Sequence, residues 1–484
     1  MTVRTIENYI GGEWVASEAG RTLDVINPAT GAALAQVPLS TTAEVDQVVR
    51  AARQAFQEWR ETPPYTRARA MFRLKAVMED HFEELARIVT QENGKILDEA
   101  RGEVRRAIEN VEGAAGIPTL MMGYNLEDVA QGIDEAAIRQ PLGVFCCIAP
   151  FNFPAMVPFW FLPYAVACGN TYIVKPSEQA PLTQTRLFEL MEEADFPPGV
   201  VNLVHGDKDA AQALLEHPDV VGVSFVGSTP VARHVYQTAA AHGKRAQCQG
   251  GAKNFLVVMP DAPLKQTVGA IITSAFGNAG QRCLAGSVVL AVGDCYEPLK
   301  AALVEAAGGL RVGDGLDPQT QMGPVISARA RERILNYIDQ GVNAGARLLL
   351  DGRRVTVPGN PNGFFVGPTI FDAVTPDMTI VQEEIFGPVL GLMAVDDFDA
   401  ALAIMERSRF GNAASIFTAS GKWAREFQYR ARCGNIGINV GVAAPIASFP
   451  FGGMKDSFFG DLHGQGFDGI NFFTDRKVVI TRWF

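Results

Sequence analysis

The sequence predicts an α/β protein with a doubly wound parallel sheet, a second α/β unit and a small β arm. In the middle of the chain, short apolar runs of strand length lie at 144–148, 171–174, 200–204, 220–225 and 255–259. Helical segments near 155–168, 181–195, 208–216 and 230–241 separate these runs. Strand alternating with helix is typical of a doubly wound sheet, which binds ligands at the carboxyl ends of its strands.

Length and composition exclude several other classes of protein. The 484 residues are too many for one ordinary core and suggest about two to four structural units. Hydrophobic residues at 48% and charged residues at 20% are typical of a globular protein. The net charge of -11 argues against a nucleic acid or an anionic membrane as a partner. The longest apolar stretch, 153–168, contains prolines and is too short to span a membrane.

The cysteines predict free thiols. Their number is seven, and their positions fit neither a disulfide framework nor a paired metal site. The polar stretch 1–11 does not resemble a signal peptide. Together these features predict a cytoplasmic protein with no metal site.

The remaining elements follow in chain order. Residues 1–39 predict short strands and turns, and Thr41 with Glu44 has the spacing of a capping box at the start of a helix that runs to Trp59. Further helical patterns cover about 64–92 and 95–116. We interpret the polar, strand-like stretch 122–140 as an arm that pairs with another subunit. A second α/β block covers about 262–450, and the tail, 464–484, ends in a strand-like segment.

The stretch 276–289 holds the strongest candidate for a nucleophile. It places a thiol, Cys283, after a turn of small residues and directly after a cation, Arg282. Nearby positive charge or main-chain N–H groups lower the pKa of a thiol, and the thiolate is the nucleophilic form. From these residues alone, a nucleophile and a buried, inert cysteine are both open interpretations.

Two polar stretches follow the first two predicted strands. Asn152, in Pro-Phe-Asn-Phe-Pro, could donate its side-chain N–H to a developing oxyanion, and a plain turn asparagine is the alternative. Lys175 and Glu178 suit the hydroxyls of a ribose, and a solvated loop with two charges is the alternative.

Two further stretches suit a nucleotide. Gly227 and Ser228 lie where a strand passes into a helix, and a helix N-terminus with a glycine and a hydroxyl can bind a pyrophosphate. An ordinary strand-to-helix turn is the alternative, because the G-x-G-x-x-G pattern is absent. Glu384 and Phe386 could hold a second ribose and flank a nicotinamide, and an exposed acidic turn is the alternative.

Taken together and in this order, these motifs resemble the aldehyde dehydrogenase superfamily over essentially the whole chain. The resemblance implies that Cys283 is the nucleophile and that Asn152 and the Cys283 main-chain N–H form the oxyanion hole. It implies NAD as cofactor, bound by Ala149, Phe151, Lys175, Glu178, Gly227, Ser228, Gln249, Glu384 and Phe386. It also implies an NAD-binding domain (1–121 and 141–253), a catalytic domain (254–450) and an oligomerisation arm (122–140 and 451–484) of a homodimer or homotetramer.

Gln249 departs from the usual motif of the superfamily. Most members of the superfamily carry Glu-Leu-Gly-Gly-Lys, whose glutamate activates water, whereas this chain reads Gln-Gly-Gly-Ala-Lys from Gln249. A neutral amide cannot accept the proton. One branch lacks this glutamate, the CoA-acylating methylmalonate/malonate semialdehyde dehydrogenases, and the chain resembles it in the late Lys-Asp-Ser-Phe-Phe-Gly-Asp-Leu-His as well. The expected reaction is oxidation of such a semialdehyde, with loss of CO2 and transfer of the acyl group to CoA as co-substrate. The alternative is a hydrolytic aldehyde dehydrogenase that yields a free acid.

Two arginines match positions at which that branch holds the substrate carboxylate, Arg106 and Arg282. An arginine fork suits a carboxylate. Arg106 could instead be a surface charge of a helix, and Arg282 could instead serve mainly to acidify Cys283. Gln179, Met454 and the run 284–286 depart from the branch and leave the exact semialdehyde open. Glu178 predicts NAD rather than NADP, because its charge would repel a 2′-phosphate.

Overall fold

The computed structural model describes residues 3–484, so residues 1 and 2 of the first predicted domain segment lie outside it. The strands β1 to β22 are Asn8–Ile10, Glu13–Val15, Thr22–Ile26, Ala33–Pro38, Tyr124–Ala130, Ile133–Pro141, Val144–Ile148, Thr171–Lys175, Val201–Leu203, Val220–Val226, Arg245–Gln249, Asn254–Val258, Gly286–Val292, Arg347–Leu350, Thr369–Asp372, Val389–Val395, Phe410–Gly411, Ala413–Phe417, Asn435–Ile438, Met454–Lys455, Phe458–Phe459 and Thr474–Arg482.

The α-helices α1 to α17 are Thr42–Trp59, Pro64–Asp80, Phe82–Asn93, Leu97–Ala115, Ile117–Leu120, Met156–Phe159, Leu162–Ala167, Leu182–Glu193, Lys208–Glu216, Thr229–Ala241, Leu264–Phe276, Tyr296–Gly308, Ala328–Asn343, Thr379–Gln382, Phe398–Arg407, Gly421–Arg430 and Gly466–Phe472. The predicted capping box is present at the start of α1, where Thr41 and Glu44 each satisfy the other's main-chain N–H. None of the helices within residues 3–484 is long and apolar enough to cross a membrane.

The first sheet is doubly wound, as predicted. Its strand order is β2-β1-β9-β8-β7-β10-β11-β21, and the five strands from β9 to β11 are parallel. Alternate side chains of β7 point to opposite faces. Val144, Cys146 and Ile148 pack in the core that contains α1, α9 and α10, whereas Phe145 and Cys147 pack in the core that contains α2, α3, α4, α7 and α8. Helices therefore cover both faces of the sheet.

The second α/β unit contains the predicted nucleophile. Its sheet has the order β14-β15-β16-β13-β12-β18-β19, and all its pairs are parallel except the edge pair of β14 with β15. The strands and α11, α12, α13, α15 and α16 share one hydrophobic core. Because β12 follows β11 almost directly, the carboxyl end of the first sheet leads straight into the second unit.

A third, antiparallel sheet of order β22-β6-β5 joins the predicted arm to the chain's last strand. β22 pairs with β6 from Thr474 opposite Pro141 to Arg482 opposite Ile133, and every residue of β5 is exposed. Within 451–484, β21 joins the first sheet instead, through Phe458 opposite Gln249. The division of the chain into functional domains stays a prediction.

Three local expectations differ from the structure. The helical pattern at 64–92 is divided at His81, which ends α2 and precedes α3. The segment 155–168 forms two short helices, α6 and α7, rather than one, and each contains a proline in or beside its first turn. β11 was not predicted, because its buried Gln247 is polar; the side chain donates to Ser224 Oγ at 2.9 Å.

Candidate active site

Cys283 lies in a short loop between α11 and β13. The chain leaves α11 through a 3-10 turn, Gly277–Gly280, in which Asn278 and Ala279 have φ of 50° and 49°. Gly280 has φ of 72°, and a Cβ there would lie 2.1 Å from the carbonyl oxygen of Gly387, so only glycine fits. After the turn, the side-chain amides of Asn254 and Asn412 each donate to the Cys283 carbonyl at 2.8 Å. The main chain that carries the thiol is therefore fixed by Asn254, at the start of β12, and by Asn412, between β17 and β18.

The thiol faces a cavity of about 290 Å³. One side of the cavity is a single face of α4, whose lining residues follow helical spacing: Glu99, Gly102, Glu103, Arg106 and Asn110. The opposite side is mostly apolar and comes from distant segments: Phe153, Met156, Trp160, Leu284, Val442, Pro445, Ala447 and Phe451. An apolar cavity with a few charged groups on one wall suits a small polar substrate.

Enclosure keeps the thiol protonated. Burial raises the pKa of the Cys283 thiol to about 12, and the negative charge of Glu384 adds to the rise; the main-chain N–H groups of Cys283 and Leu284 and the Asn412 amide oppose it. The Arg282 guanidinium, next in the chain, donates from Nη2 to Glu99 Oε1 at 2.5 Å. The two interpretations of Arg282, an anchor for the substrate carboxylate and a group that acidifies the thiol, both stay predictions.

Asn152 lies beside the nucleophile loop, as the oxyanion hypothesis requires. Its side-chain N–H donates to the carbonyl of Gln281 at 3.0 Å, two residues before Cys283. The main-chain carbonyl of Asn152 accepts from Lys95 Nζ at 2.6 Å, and the residue is 4% exposed. One of the two amide hydrogens is therefore used to hold Asn152 against the loop, and the other is free for a ligand.

A buried ion pair that the sequence did not reveal supports Asn152. Lys95 Nζ lies 2.6 Å from Glu103 Oε2, and both side chains are fully buried. Glu103 Oε1 also accepts from the main-chain N–H groups of Ala155 and Met156, at 2.7 and 3.2 Å. The pair thus fixes the segment that carries Asn152 to α4. The sequence signal that could have pointed to Glu103 was its position three residues before Arg106, which puts both side chains on one face of a helix.

Several predicted cofactor residues meet at the carboxyl edge of the first sheet. Ala149 follows β7 and donates its N–H to the carbonyl of Lys175, the last residue of β8, at 3.0 Å. Lys175 Nζ lies 3.6 Å from Glu178 Oε2, and burial lowers the pKa of Lys175. Gly227 follows β10, and Ser228 is the N-cap of α10. Among the residues that the structure describes, the Ser228 hydroxyl makes no capping bond, so it is available to a ligand.

Three further predicted cofactor residues are Phe151, Glu384 and Phe386. The rings of Phe151 and Phe386 meet edge to face, with centroids 5.9 Å apart. Glu384 Oε1 accepts from the main-chain N–H of Ala252 at 2.9 Å, and burial raises the pKa of Glu384 to about 7. Burial lowers the pKa of the neighbouring Lys253 to about 8. The main-chain N–H of Ala252 therefore holds the Glu384 carboxylate near enough to Cys283 for its negative charge to raise the pKa of the thiol.

Gln249 supports the wall of the cavity. It is the last residue of β11 and is 3% exposed. Its Nε2 donates to the carbonyl of Phe451 at 3.1 Å, and the Phe451 ring packs on Trp160 with centroids 4.2 Å apart. Within residues 3–484, nothing donates to Gln249 Oε1. The bond to Phe451 needs a donor, which an ionised glutamate at this position would lack.

Comparison with known proteins identifies the family. The family model described as "Aldehyde dehydrogenase family" matches residues 14–479. The chain belongs to the aldehyde dehydrogenase family. Among aldehyde dehydrogenases, the chain is similar to malonate-semialdehyde dehydrogenase 2 of Geobacillus kaustophilus (strain HTA426), with 52% identity over 481 residues and 99% of each chain covered.

Solved structures of aldehyde dehydrogenases agree with this assignment. A methylmalonate-semialdehyde dehydrogenase from Oceanimonas doudoroffii has a TM-score of 0.98 and 45% identity, over 99% of each chain. The crystal structure of a Sinorhizobium meliloti 1021 protein complexed with NAD has a TM-score of 0.98 and 43% identity, over 100% of this chain and 98% of that chain. The resemblance inferred from the motifs and the predicted fold class are both confirmed.

The two arginines predicted for the substrate reach this aldehyde dehydrogenase's cavity by different routes. Arg106 projects from α4 and donates to Glu109 at 3.1 Å and to the carbonyl of Ala444 at 3.3 Å. Arg282 lines the same cavity next to Cys283, with its Nη2 bound to Glu99. Glu99 also accepts from the N–H of Asn278, so it ties the nucleophile turn to α4. Both arginines line the cavity that contains Cys283 and each is paired with a glutamate, and their roles toward a substrate stay predictions.

Proposed function

We propose that this aldehyde dehydrogenase oxidises a malonate-type semialdehyde with NAD and transfers the resulting acyl group to CoA. The observation that carries the proposal is Gln249. A neutral amide, bound to the Phe451 carbonyl, stands where the superfamily places its water-activating glutamate. The similarity to malonate-semialdehyde dehydrogenase 2, at 52% identity, supports the same substrate class.

The residues at the edge of the first sheet fit NAD. The Ser228 hydroxyl and the N-terminus of α10 suit a pyrophosphate, and buried Lys175 with Glu178 suits the hydroxyls of the adenosine ribose. Glu178 carries a negative charge where NADP would place a 2′-phosphate, so NAD is favoured. Glu384 and Phe386 would lie on the nicotinamide side, next to Cys283. NAD, when bound, supplies the acceptor for the hydride.

Cys283 and Asn152 carry the oxidation. The Cys283 sulfur adds to the aldehyde carbon, and the aldehyde oxygen becomes the oxyanion of a thiohemiacetal. The free amide hydrogen of Asn152 and the Cys283 main-chain N–H would donate to that oxygen. Departure of the hydride from the same carbon leaves an acyl thioester on Cys283. The raised pKa of the thiol means that its proton has to leave before or during the addition.

Arginine and CoA complete the reaction. Arg106 and Arg282 would hold the substrate carboxylate until the carbon–carbon bond breaks, which releases CO2 and leaves an acetyl or propionyl thioester once the carbon is protonated. The CoA thiol then attacks the thioester carbonyl, and the Cys283 thiolate leaves. Exchange of one thiolate for another needs no strong base at position 249, which is consistent with glutamine there.

The third sheet supports a homodimer or a homotetramer. It presents Leu126, Ile138, Val478 and Ile480, which are all exposed large apolar side chains. Exposed apolar side chains on one sheet are typical of a subunit interface. We assign β5, β6 and β22 to oligomerisation, the first sheet to NAD, the second unit to catalysis, and the protein to the cytoplasm.

Product analysis tests the proposal. NADH formation is followed with malonate and methylmalonate semialdehydes, with and without CoA, and the products are separated. We expect turnover that depends on CoA and yields acetyl-CoA or propionyl-CoA. Equally fast turnover without CoA, giving a free acid, would show that another group replaces the missing glutamate.

A further inference from the structure

We propose that Gly277 is a specificity-determining residue of the enzyme. Because it has no side chain, the Arg282 guanidinium can lie flat on its Cα, and we call this position the arginine seat. The seat favours aldehydes that carry a carboxylate over aldehydes that lack one. The inference rests on the proposed function, in which Arg282 contacts the substrate carboxylate, and it adds the residues that place that arginine.

The distances at Gly277 show how the guanidinium lies. A Cβ added to Gly277 would lie 2.5 Å from Arg282 Nη1, 2.6 Å from Cζ and 2.7 Å from Nη2. Since the three distances are nearly equal, the guanidinium turns its face, rather than its edge, to Gly277. The backbone of Gly277, with φ of -57° and ψ of 139°, lies in a region that any residue adopts. Glycine is therefore needed at this position for space and not for its backbone conformation.

Hydrogen bonds hold the guanidinium on this seat. Arg282 Nη2 donates to Glu99 Oε1 at 2.5 Å, and Nη1 donates to the Thr273 carbonyl at 3.4 Å. Glu99 is itself held by the main-chain N–H of Asn278, whose nitrogen lies 2.9 Å from Oε1 and 3.1 Å from Oε2. Within residues 3–484, nothing accepts from Arg282 Nε. The position of the guanidinium therefore depends on Gly277 and Glu99 rather than on a bond from Nε.

The seated arginine keeps two N–H groups for a ligand. Arg282 and Glu99 both line the cavity that contains Cys283, and 14% of the Arg282 side chain is exposed. Nη1 and Nη2 each carry two hydrogens, and each uses one in the bonds above, so each keeps one. Two N–H groups of a planar fork match the two oxygens of a carboxylate. An aldehyde without a carboxylate gains nothing from this arrangement.

A methyl group added at position 277 would move the arginine without straining the main chain. Non-bonded heavy atoms pack at about 3.5 Å or more, so the guanidinium would have to shift by about 1 Å. The shift is possible because the guanidinium is the end of a flexible side chain. A displacement of this size weakens charge-assisted hydrogen bonds, which corresponds to a loss of about tenfold or more in the recognition of a carboxylate.

The test is the ratio of kcat/KM for malonate semialdehyde to kcat/KM for propanal, in which a methyl group replaces the carboxylate. Gly277→Ala should lower the ratio about tenfold or more, because only malonate semialdehyde offers a group to Arg282. Gly269→Ala is the control, because Gly269 lies on the helix that leads to Gly277 and a Cβ there would meet nothing within 4 Å. It should leave the ratio at the value of the parent. A ratio that Gly277→Ala leaves unchanged would overturn the inference.

A double-mutant cycle tests whether Gly277 acts through Arg282. In Arg282→Lys the charge remains, but the planar group that needs the seat is gone. Gly277→Ala should therefore reduce kcat/KM for malonate semialdehyde about tenfold in the parent and less than about twofold in Arg282→Lys. Equal reductions in the two backgrounds would overturn the inference and leave the proposed function intact. A parent that does not oxidise malonate semialdehyde with NAD and CoA would overturn the proposed function, and the inference with it.

Discussion

Replacing Gln249 with glutamate restores the residue type whose absence defines the proposed chemistry. In the parent, Gln249 Nε2 donates to the Phe451 carbonyl, which also accepts from the N–H of Gly464 at 3.1 Å. A carboxyl group at this position can donate to Phe451 only when it is protonated, and it can act as a base only when it is ionised. The two functions therefore exclude each other, and pH decides between them.

Burial at position 249 sets the pH at which the introduced carboxyl group changes from a donor to Phe451 into a base. Burial raises the pKa of two enclosed glutamates, Glu92 and Glu384, to about 7. A glutamate at position 249, which is 3% exposed, should therefore titrate near pH ~7, with about a tenth ionised at pH 6 and about nine-tenths at pH 8. The folded-state pKa would lie above the unfolded value of about 4.3, so the variant loses stability as pH rises from about 4 to about 7. The loss amounts to about 3 to 4 kcal/mol relative to the parent.

The assay measures free-acid formation without CoA between pH 6 and 8. Gln249→Glu should produce free acid about tenfold faster at pH 8 than at pH 6, after subtraction of the parent's own pH dependence. Gln249→Leu is the control, because it loses the bond to Phe451 and gains no base. The reasoning is refuted if Gln249→Glu stays folded at pH 8 and releases acid no faster than Gln249→Leu.

Three further substitutions test other parts of the site. Lys95→Met leaves Glu103 charged and buried, so the free energy of unfolding should fall by about 3 to 5 kcal/mol in a denaturant titration. The control is the surface change Lys75→Met, which should lower the free energy of unfolding by less than about 1 kcal/mol. Equal losses in the two variants would contradict a special role for the buried pair. Glu178→Gln should raise kcat/KM for NADP relative to NAD, and an unchanged ratio would show that this carboxylate does not face the ribose. Arg106→Lys keeps the charge but loses the fork, so KM for the semialdehyde should rise roughly tenfold with little change in kcat; an unchanged KM would exclude Arg106 as the carboxylate anchor.

Local patterns predicted most of the fold, because the strands of the first sheet are apolar runs separated by helical segments. Four of the predicted runs reproduce β7, β8, β9 and β10 to within one residue at each end, and the fifth corresponds to β12, which belongs to the second sheet. β11 was missed because its side chains at Arg245, Gln247 and Gln249 are polar, and their partners come from distant segments. No local pattern encodes such partners.

In the active site as well, local motifs could be read from the sequence, whereas contacts between distant side chains could not. The resemblance carried by the motifs implied that Cys283 and Asn152 share one site, and the structure brings their segments into contact. The pairing of Lys95 with Glu103 and the bond from Gln249 to Phe451 were not predicted, because each depends on which side chains meet after folding.

The most direct test of the account is the chemical state of Cys283 during turnover. The enzyme is mixed with malonate semialdehyde and NAD without CoA, quenched in acid, digested and analysed by mass spectrometry. The account predicts that an acetyl group accumulates on the peptide containing Cys283, and that added CoA removes it as acetyl-CoA. A Cys283 peptide that stays unmodified while NADH forms, or an acetyl group lost to water as fast without CoA as with it, would contradict the account.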